Sequence, residues 1–262
     1  MFTQISKDVW KHTYDEREDL GRYFTPDNDT FQSLPQDVKS DWDTFKHSAN
    51  YRIGRPVELS ENLETNFETY QQLLLDILTI RFRNRPNAGD EYFRRCIEWL
   101  KSTDFFSAPA STQFHDAFPG GLVYHTLSVY NKVCEVQFVD SFKDVPIDRI
   151  ALVALTHDWC KIGLYESYDR NVKNEETGKW EKQKAYRRGK PKFPFGHGDA
   201  SLFLANRFFP LSVEESLAIK WHMNKYYVHD AEDNDLATAN ETYPIVHMIQ
   251  FADQLSITEY NR

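Results

Sequence analysis

"IALVALTHDWCKIG", residues 150–163, joins an unbroken apolar run to a histidine, an aspartate and a lysine. The run reads as a buried helix, and burying an ionised side chain without a partner costs several kcal/mol. His157 and Asp158 must therefore be paired, solvated or bound to a cation, and the rest of the chain has to say which.

Outward from this stretch the pattern stays helical. Leu63, Phe67, Tyr70, Leu74, Ile77, Leu78 and Phe82 recur at three and four, with Ser60 reading as the N-cap. Further helices are expected at "AGDEYFRRCIEWLKS", from about residue 122 to 138, and at "DASLFLANRFF", "SVEESLAIKWHM" and "YPIVHMIQFADQLS". Ser212 and Glu215 form a capping box in the second of these last three. The expected fold class is all-α: a helical body over residues 61–262. Residues 1–60 are polar, broken by Pro26, Pro35 and Pro56, and read as an irregular extension pinned by Trp10, Phe24, Trp42 and Tyr51. Residues 166–196 interrupt the helices with a β-hairpin-like insertion around Gly178. The insertion is basic, with Lys173, Lys179, Lys182, Lys184, Arg187, Arg188, Lys190 and Lys192, and reads either as a solvated hairpin or as a ligand-gripping lid.

Composition narrows the partners. The 262 residues carry a formal charge of −9, which argues against broad binding to nucleic acid or anionic membrane while permitting a local basic pocket. A small-molecule partner is expected. Cys96, Cys134 and Cys160 are too few and too far apart for a disulfide framework or a zinc ribbon. The start lacks a signal-like apolar core and no stretch reaches membrane-span length, so a soluble, cytoplasmic chain without membrane contact is expected.

Helix neighbours three and four apart share a face. By that rule His157, His222 and Asp253 each look inward from apolar company. His125 follows "FPGGLVY" and His197 sits between glycines in "FGHGD", positions where backbone can approach a ligand closely. Any one of these histidines is more economically a core residue or a cap. Four histidines and two aspartates on inward faces or ends of separate helices would instead leave a charged cavity, which a divalent metal can neutralise. Imidazole plus carboxylate without thiolate suits Mn, Fe, Co, Ni or Zn, and Mg where waters complete the shell. Asp158 can offer one oxygen to each of two ions.

The order His125, His157-Asp158, His197, His222, Asp253, together with "GGLVYHTLSV", "LTHDWCKIG", "FGHGDASLFL", "AIKWHM" and "FADQLS", resembles the HD-domain metal-dependent phosphohydrolases over about residues 108–256. The resemblance implies an HD-domain helical bundle with His125, His157, Asp158 and Asp253 on one ion, and His197 and His222 at the positions that hold a second. Lys161 matches a lysine of dinuclear relatives, three residues after the HD aspartate, and would hold a phosphate oxygen. His115 resembles a histidine upstream of the first ligand, with an outer-sphere or substrate-binding role set against loop packing. His12, His47, His229 and His247 read as structural or exposed. Two departures stand out: the G-Y-P segment of cyclic-dinucleotide phosphodiesterases is absent, and "GHGDAS" replaces the "GHGEKS" of the similar subgroup. The implied activity is divalent-metal-dependent hydrolysis of a phosphomonoester or phosphodiester of a nucleotide, with Asp158 and Lys161 as the catalytic pair. The rivals are a 3′-5′ exonuclease on single-stranded nucleic acid and a non-catalytic nucleotide-sensing module.

Overall fold

A computed structural model describes residues 2–6, 8–13, 21–26, 29–175, 177–227 and 232–258. These residues are mainly helical, and they also form two small antiparallel sheets.

One sheet lies in the segment expected to be irregular. Strands β1 (Phe2–Gln4), β2 (Trp10–Thr13) and β3 (Gly21–Phe24) make a meander in which Phe2 pairs with His12 and Trp10 with Phe24. Helices α1 (Asp29–Gln32), α2 (Gln36–Phe45) and α3 (Ala49–Arg52) follow. Trp10, Leu34, Val38 and Trp42 form a core separate from that of the body. The Trp10 ring meets Trp42 edge-on at 5.0 Å and stacks on Tyr51 at 5.5 Å, so these aromatics pin the segment to itself. Strands of three or four residues are too short for a two-residue period to stand out, and cross-strand pairing carries them. Arg52 ties the unit to the body, donating through Nε and a terminal nitrogen to both oxygens of buried Asp76, at 2.6 and 2.5 Å.

The body begins with α4 (Leu63–Arg81). Its N-cap is Asn62 instead of Ser60: Asn62 accepts from the Glu64 amide at 2.8 Å, while the Ser60 hydroxyl accepts from the Asn62 amide. Then come α5 (Pro86–Lys101), α6 (Gly121–Val136), α7 (Ile147–Thr156), α8 (His197–Asn206), α9 (Val213–Trp221), α10 (Asp233–Thr242) and α11 (Pro244–Thr258). The sequence did not foretell α10, because only Leu236 and Ala239 of its ten residues are buried and no apolar stripe marks it.

Helix α7 touches α4, α6, α8, α9 and α11. A helix surrounded in this way needs apolar residues on every side, and Ile150 through Leu155 are all fully buried. The capping box at α9 forms as read, with the Ser212 amide donating to Glu215 at 2.7 Å and the Glu215 amide donating to the Ser212 hydroxyl at 3.2 Å. Arg81 at the end of α4 also donates to the Glu215 carboxylate, which fixes α9 against α4. The second sheet is the expected hairpin, β4 (Tyr165–Lys173) and β5 (Trp180–Arg188), in register from Tyr165 opposite Arg188 to Lys173 opposite Trp180. Gly178 supplies a φ of 65° in its turn. Among the described residues no helix is long and apolar enough to cross a membrane.

Candidate metal centre

Five helices deliver the polar cluster. Helix α6 is N-capped by Gly120, whose φ is 81°. A Cβ on Gly121 would sit 1.9 Å from the Asp116 carbonyl oxygen, so the 110–120 loop lies directly on the α6 N-terminus and sets His115 and Asp116 beside His125. Helix α8 starts at His197, and a Cβ on Gly198 would sit 1.9 Å from the Lys220 carbonyl oxygen. These glycines therefore admit neighbouring backbone, where the sequence reading assigned them to ligand approach. The crossing sets His197 against His222, the C-cap of α9. Asp253 comes from α11.

The helix expected to run through Lys161 instead ends at Thr156. His157 is its C-cap, Asp158 leaves it with a φ of −106°, and Trp159–Lys161 is a single 3-10 turn. The tighter turn still brings Lys161 Nζ to 2.6 Å from Asp158 Oδ2.

All six residues read as ligands meet around one point, and all but His197 are fully buried. They divide into two groups whose ligand atoms lie within 4.8 Å of one another: His125, His157 and Asp253, and Asp158, His197 and His222. Asp158 faces both groups. Its Oδ2 lies 3.4 Å from His125 Nε2 and 3.5 Å from His157 Nε2, and its Oδ1 lies 2.9 Å from His197 Nε2 and 3.6 Å from His222 Nε2. Asp253 Oδ1 closes the first group at 3.2 Å from His125 Nε2.

The hydrogen bonds behind the cluster decide its character. His157 Nδ1 donates to the Ala154 carbonyl at 2.8 Å and His222 Nδ1 to the Ile219 carbonyl at 2.7 Å. Those bonds place the ring proton on Nδ1 and turn the Nε2 lone pairs inward. Neither Nε2 has a hydrogen-bond partner, and neither does buried Asp253 Oδ1. Unpartnered ring nitrogens beside carboxylate oxygens are an arrangement that could hold a cation. The donor set of imidazole and carboxylate fits a divalent ion, and the two adjoining groups could hold one or two.

Electrostatics without an ion point the same way. Burial works against charging His125, but Asp158 and Asp253 outweigh it and raise its pKa to about 9. Burial likewise opposes ionisation of Asp158, yet Lys161 and His157 hold it well below the usual carboxylate range. Burial opposes the charge on Asp253 too, and His125 brings it below that range. Lys161 is raised despite burial, because Asp158 is beside it. The site thus keeps carboxylates ionised in the interior, gathering protons and an ammonium to compensate them.

His115 is half-buried with its ring 4.9 Å from that of His125; burial, then the charge of His125, lower its pKa to about 4. It lines a cavity of about 380 Å³ that opens onto the cluster, together with Phe114, Lys161, Tyr165, Arg188 and Met223. A larger groove, about 940 Å³, lies beside the N-terminal unit and contains none of the cluster.

Two neighbours escaped the sequence reading as site residues, and a third, Arg188, reads there only as one cation of the insertion. Asp116, buried and with a φ of 50°, turns Oδ2 towards His125 Nδ1 at 3.7 Å. The dipeptide His115-Asp116 was a signal in plain view. Cys160 rests its sulfur 3.4 Å from the His197 ring, burial pushing its thiol up to about 12. Arg188 reaches the cavity from the base of the hairpin. Of the four remaining histidines, His12 is buried in the N-terminal unit, His47 and His247 lie away from the site, and His229 lies outside the described residues.

No family model, curated protein or solved structure matches the chain.

Proposed function

We propose that the chain is a divalent-metal-dependent phosphohydrolase acting on a phosphomonoester or phosphodiester of a nucleotide, with the helical body as an HD-domain bundle. One observation carries the reading: two adjoining His/Asp groups, with Asp158 of one facing histidines of both, turn unpartnered imidazole nitrogens of His157 and His222 inward. His125, His157, Asp158 and Asp253 would hold one ion, and Asp158, His197 and His222 a second. When bound, the metal supplies Lewis acidity towards a phosphoryl oxygen and lowers the pKa of a water molecule.

The chain's own residues supply the rest. Lys161, buried and charged at the cavity wall, neutralises a phosphate oxygen in the place where it now neutralises Asp158. The backbone carbonyls of Ala154 and Ile219 fix two ring orientations, and the Asp116 carboxylate faces a third ring, that of His125, at 3.7 Å. Neutral His115 offers a hydrogen bond to substrate from the cavity wall. Elemental analysis of purified protein, paired with turnover of p-nitrophenyl phosphate and bis(p-nitrophenyl) phosphate in Mn, Co, Ni, Fe, Zn or Mg, tests the reading. Bound metal and chelator-sensitive turnover are expected. Fully metallated protein inert towards every phosphoester would leave a sensing module.

A further inference from the structure

The two faces of the β4–β5 hairpin differ in chemistry. In an antiparallel pair, residues directly opposite point to the same face and successive pairs alternate. The register therefore places Tyr165/Arg188, Ser167/Tyr186, Asp169/Lys184, Asn171/Lys182 and Lys173/Trp180 on one face. Glu166/Arg187, Tyr168/Ala185, Arg170/Gln183 and Val172/Glu181 take the other. The first face carries four cations against one carboxylate; the second carries two of each.

On the second face one of the two arginines is paired, while Arg170 is exposed without an ion pair among the described residues. Arg187 donates to Glu166 at 3.0 Å and lies over the Tyr168 ring at 6.0 Å. On the first face Lys173, Lys182, Lys184 and Arg188 are all exposed, and among the described residues none of them has an ion pair. Aromatic rings interleave with these charges: Tyr186 is half-buried and Trp180 is 70% exposed. An exposed tryptophan at a hairpin tip covers no core, so its area is available to a partner.

This face begins inside the catalytic cavity. Its first pair, Tyr165 and Arg188, lines the same pocket as Lys161 and the ligand cluster, and Tyr165 donates to the Ala110 carbonyl at 3.3 Å, fixing the hairpin base there. Phe114, 78% exposed, stands on the cavity wall as a further ring. From that pair the face runs outward for about 27 Å, with a pair every ~6.7 Å. Cations that track a backbone, alternating with rings on which bases stack, are what binding of single-stranded nucleic acid requires.

We propose that the Tyr165/Arg188 to Lys173/Trp180 face of the hairpin is a docking track that leads single-stranded nucleic acid into the cavity. The proposal rests on the phosphohydrolase reading for what happens at the end of the track and names its substrate class: a nucleotide unit of a single strand. The chain's negative net charge is no obstacle, since the contrast between the two faces is local. The excess of cations is concentrated where the chain would pass, and the acidic remainder keeps other surfaces from competing.

The test is the binding of a fluorescein-labelled oligothymidylate of twelve nucleotides, followed by anisotropy across a salt series without added metal. Wild-type protein should bind with a steep negative salt slope. Lys182→Ala/Lys184→Ala should lower the affinity about tenfold or more and shrink the slope by about 1.4, at ~0.7 per lost phosphate contact. Arg188→Ala, at the cavity end, should weaken binding as well. The charge-matched pair Arg170→Ala/Arg187→Ala on the opposite face should bind like wild type. Equal losses from both faces, no binding by wild type, or binding to phosphatidylserine vesicles with none to the oligonucleotide would overturn the track. Wild-type turnover of bis(p-nitrophenyl) phosphate, read in parallel, tests the hydrolase reading alone: turnover without strand binding sinks the track, and face-selective binding without turnover sinks the hydrolase.

Discussion

The His/Asp cluster and the β4–β5 hairpin hold charge in opposite ways. In the cluster, Lys161, Asp158, His125 and Asp253 are withdrawn from water and joined in a chain of contacts at 2.6, 3.4 and 3.2 Å. Along the hairpin, Lys173, Lys182, Lys184 and Arg188 stand in solvent. Buried charge demands compensation from the fold, so substitution there should disturb stability and metal together. Exposed charge demands nothing from the fold, so substitution should leave stability intact and act only on a partner.

The largest effect is expected at Asp158, whose two oxygens face both groups. Asp158→Ala should abolish bound metal in elemental analysis and cut kcat/KM by more than about 10³-fold, beyond the loss of a single charge-stabilising donor. It should also lower thermal stability of the metal-free protein, by about 3–5 kcal/mol for breaking a buried pair, because Lys161 is left without its partner. A variant with wild-type metal content would mean that Asp158 bridges nothing.

Next comes Lys161. Lys161→Ala should keep the metal and lose about 10²-fold in rate. If rate and metal content both stayed at wild-type levels, the side chain would serve Asp158 alone and the cavity wall would contribute no phosphate contact.

Asp116→Asn should have an intermediate effect. The amide keeps the size and the left-handed turn while removing the carboxylate from His125 Nδ1. Metal affinity in a chelator competition should fall by about 10- to 100-fold, with kcat at saturating metal nearly unchanged. An unaltered affinity would demote Asp116 to a loop residue.

The smallest expected effect lies at the far end of the hairpin. Trp180→Ala should change the unfolding free energy by no more than the scatter of surface substitutions, about 0.5 kcal/mol, since the ring is 70% exposed. A large loss would show that the hairpin tip packs on something and would blur the contrast with the cluster.

The two regions were also unequally legible in the sequence. His157, His222 and Asp253 could be placed because each interrupts an apolar run of helical period, where a polar residue must face inward. The loop–helix approach that brings Asp116 to His125, and the 3-10 turn that carries Lys161, depend on backbone contacts that no local pattern encodes. For the hairpin, the turn at Gly178 and the excess of lysine and arginine were visible. The facial segregation was not, because it needs the register between two strands, and a slip of one residue would exchange the faces. The N-terminal sheet failed to appear for a related reason: its core of Trp10, Leu34, Val38 and Trp42 is assembled from residues up to 32 positions apart, in strands too short to show a period.

Calorimetric titration of chelator-stripped protein with Mn or Zn tests the central claim most directly, comparing wild type with Asp158→Asn, whose fold is checked by circular dichroism. Saturable binding of one or two ions per chain by wild type, lost in the folded variant, is the expected result. The absence of saturable binding in wild type, or equal binding in the two proteins, would contradict the reading of the buried His/Asp groups as a metal centre.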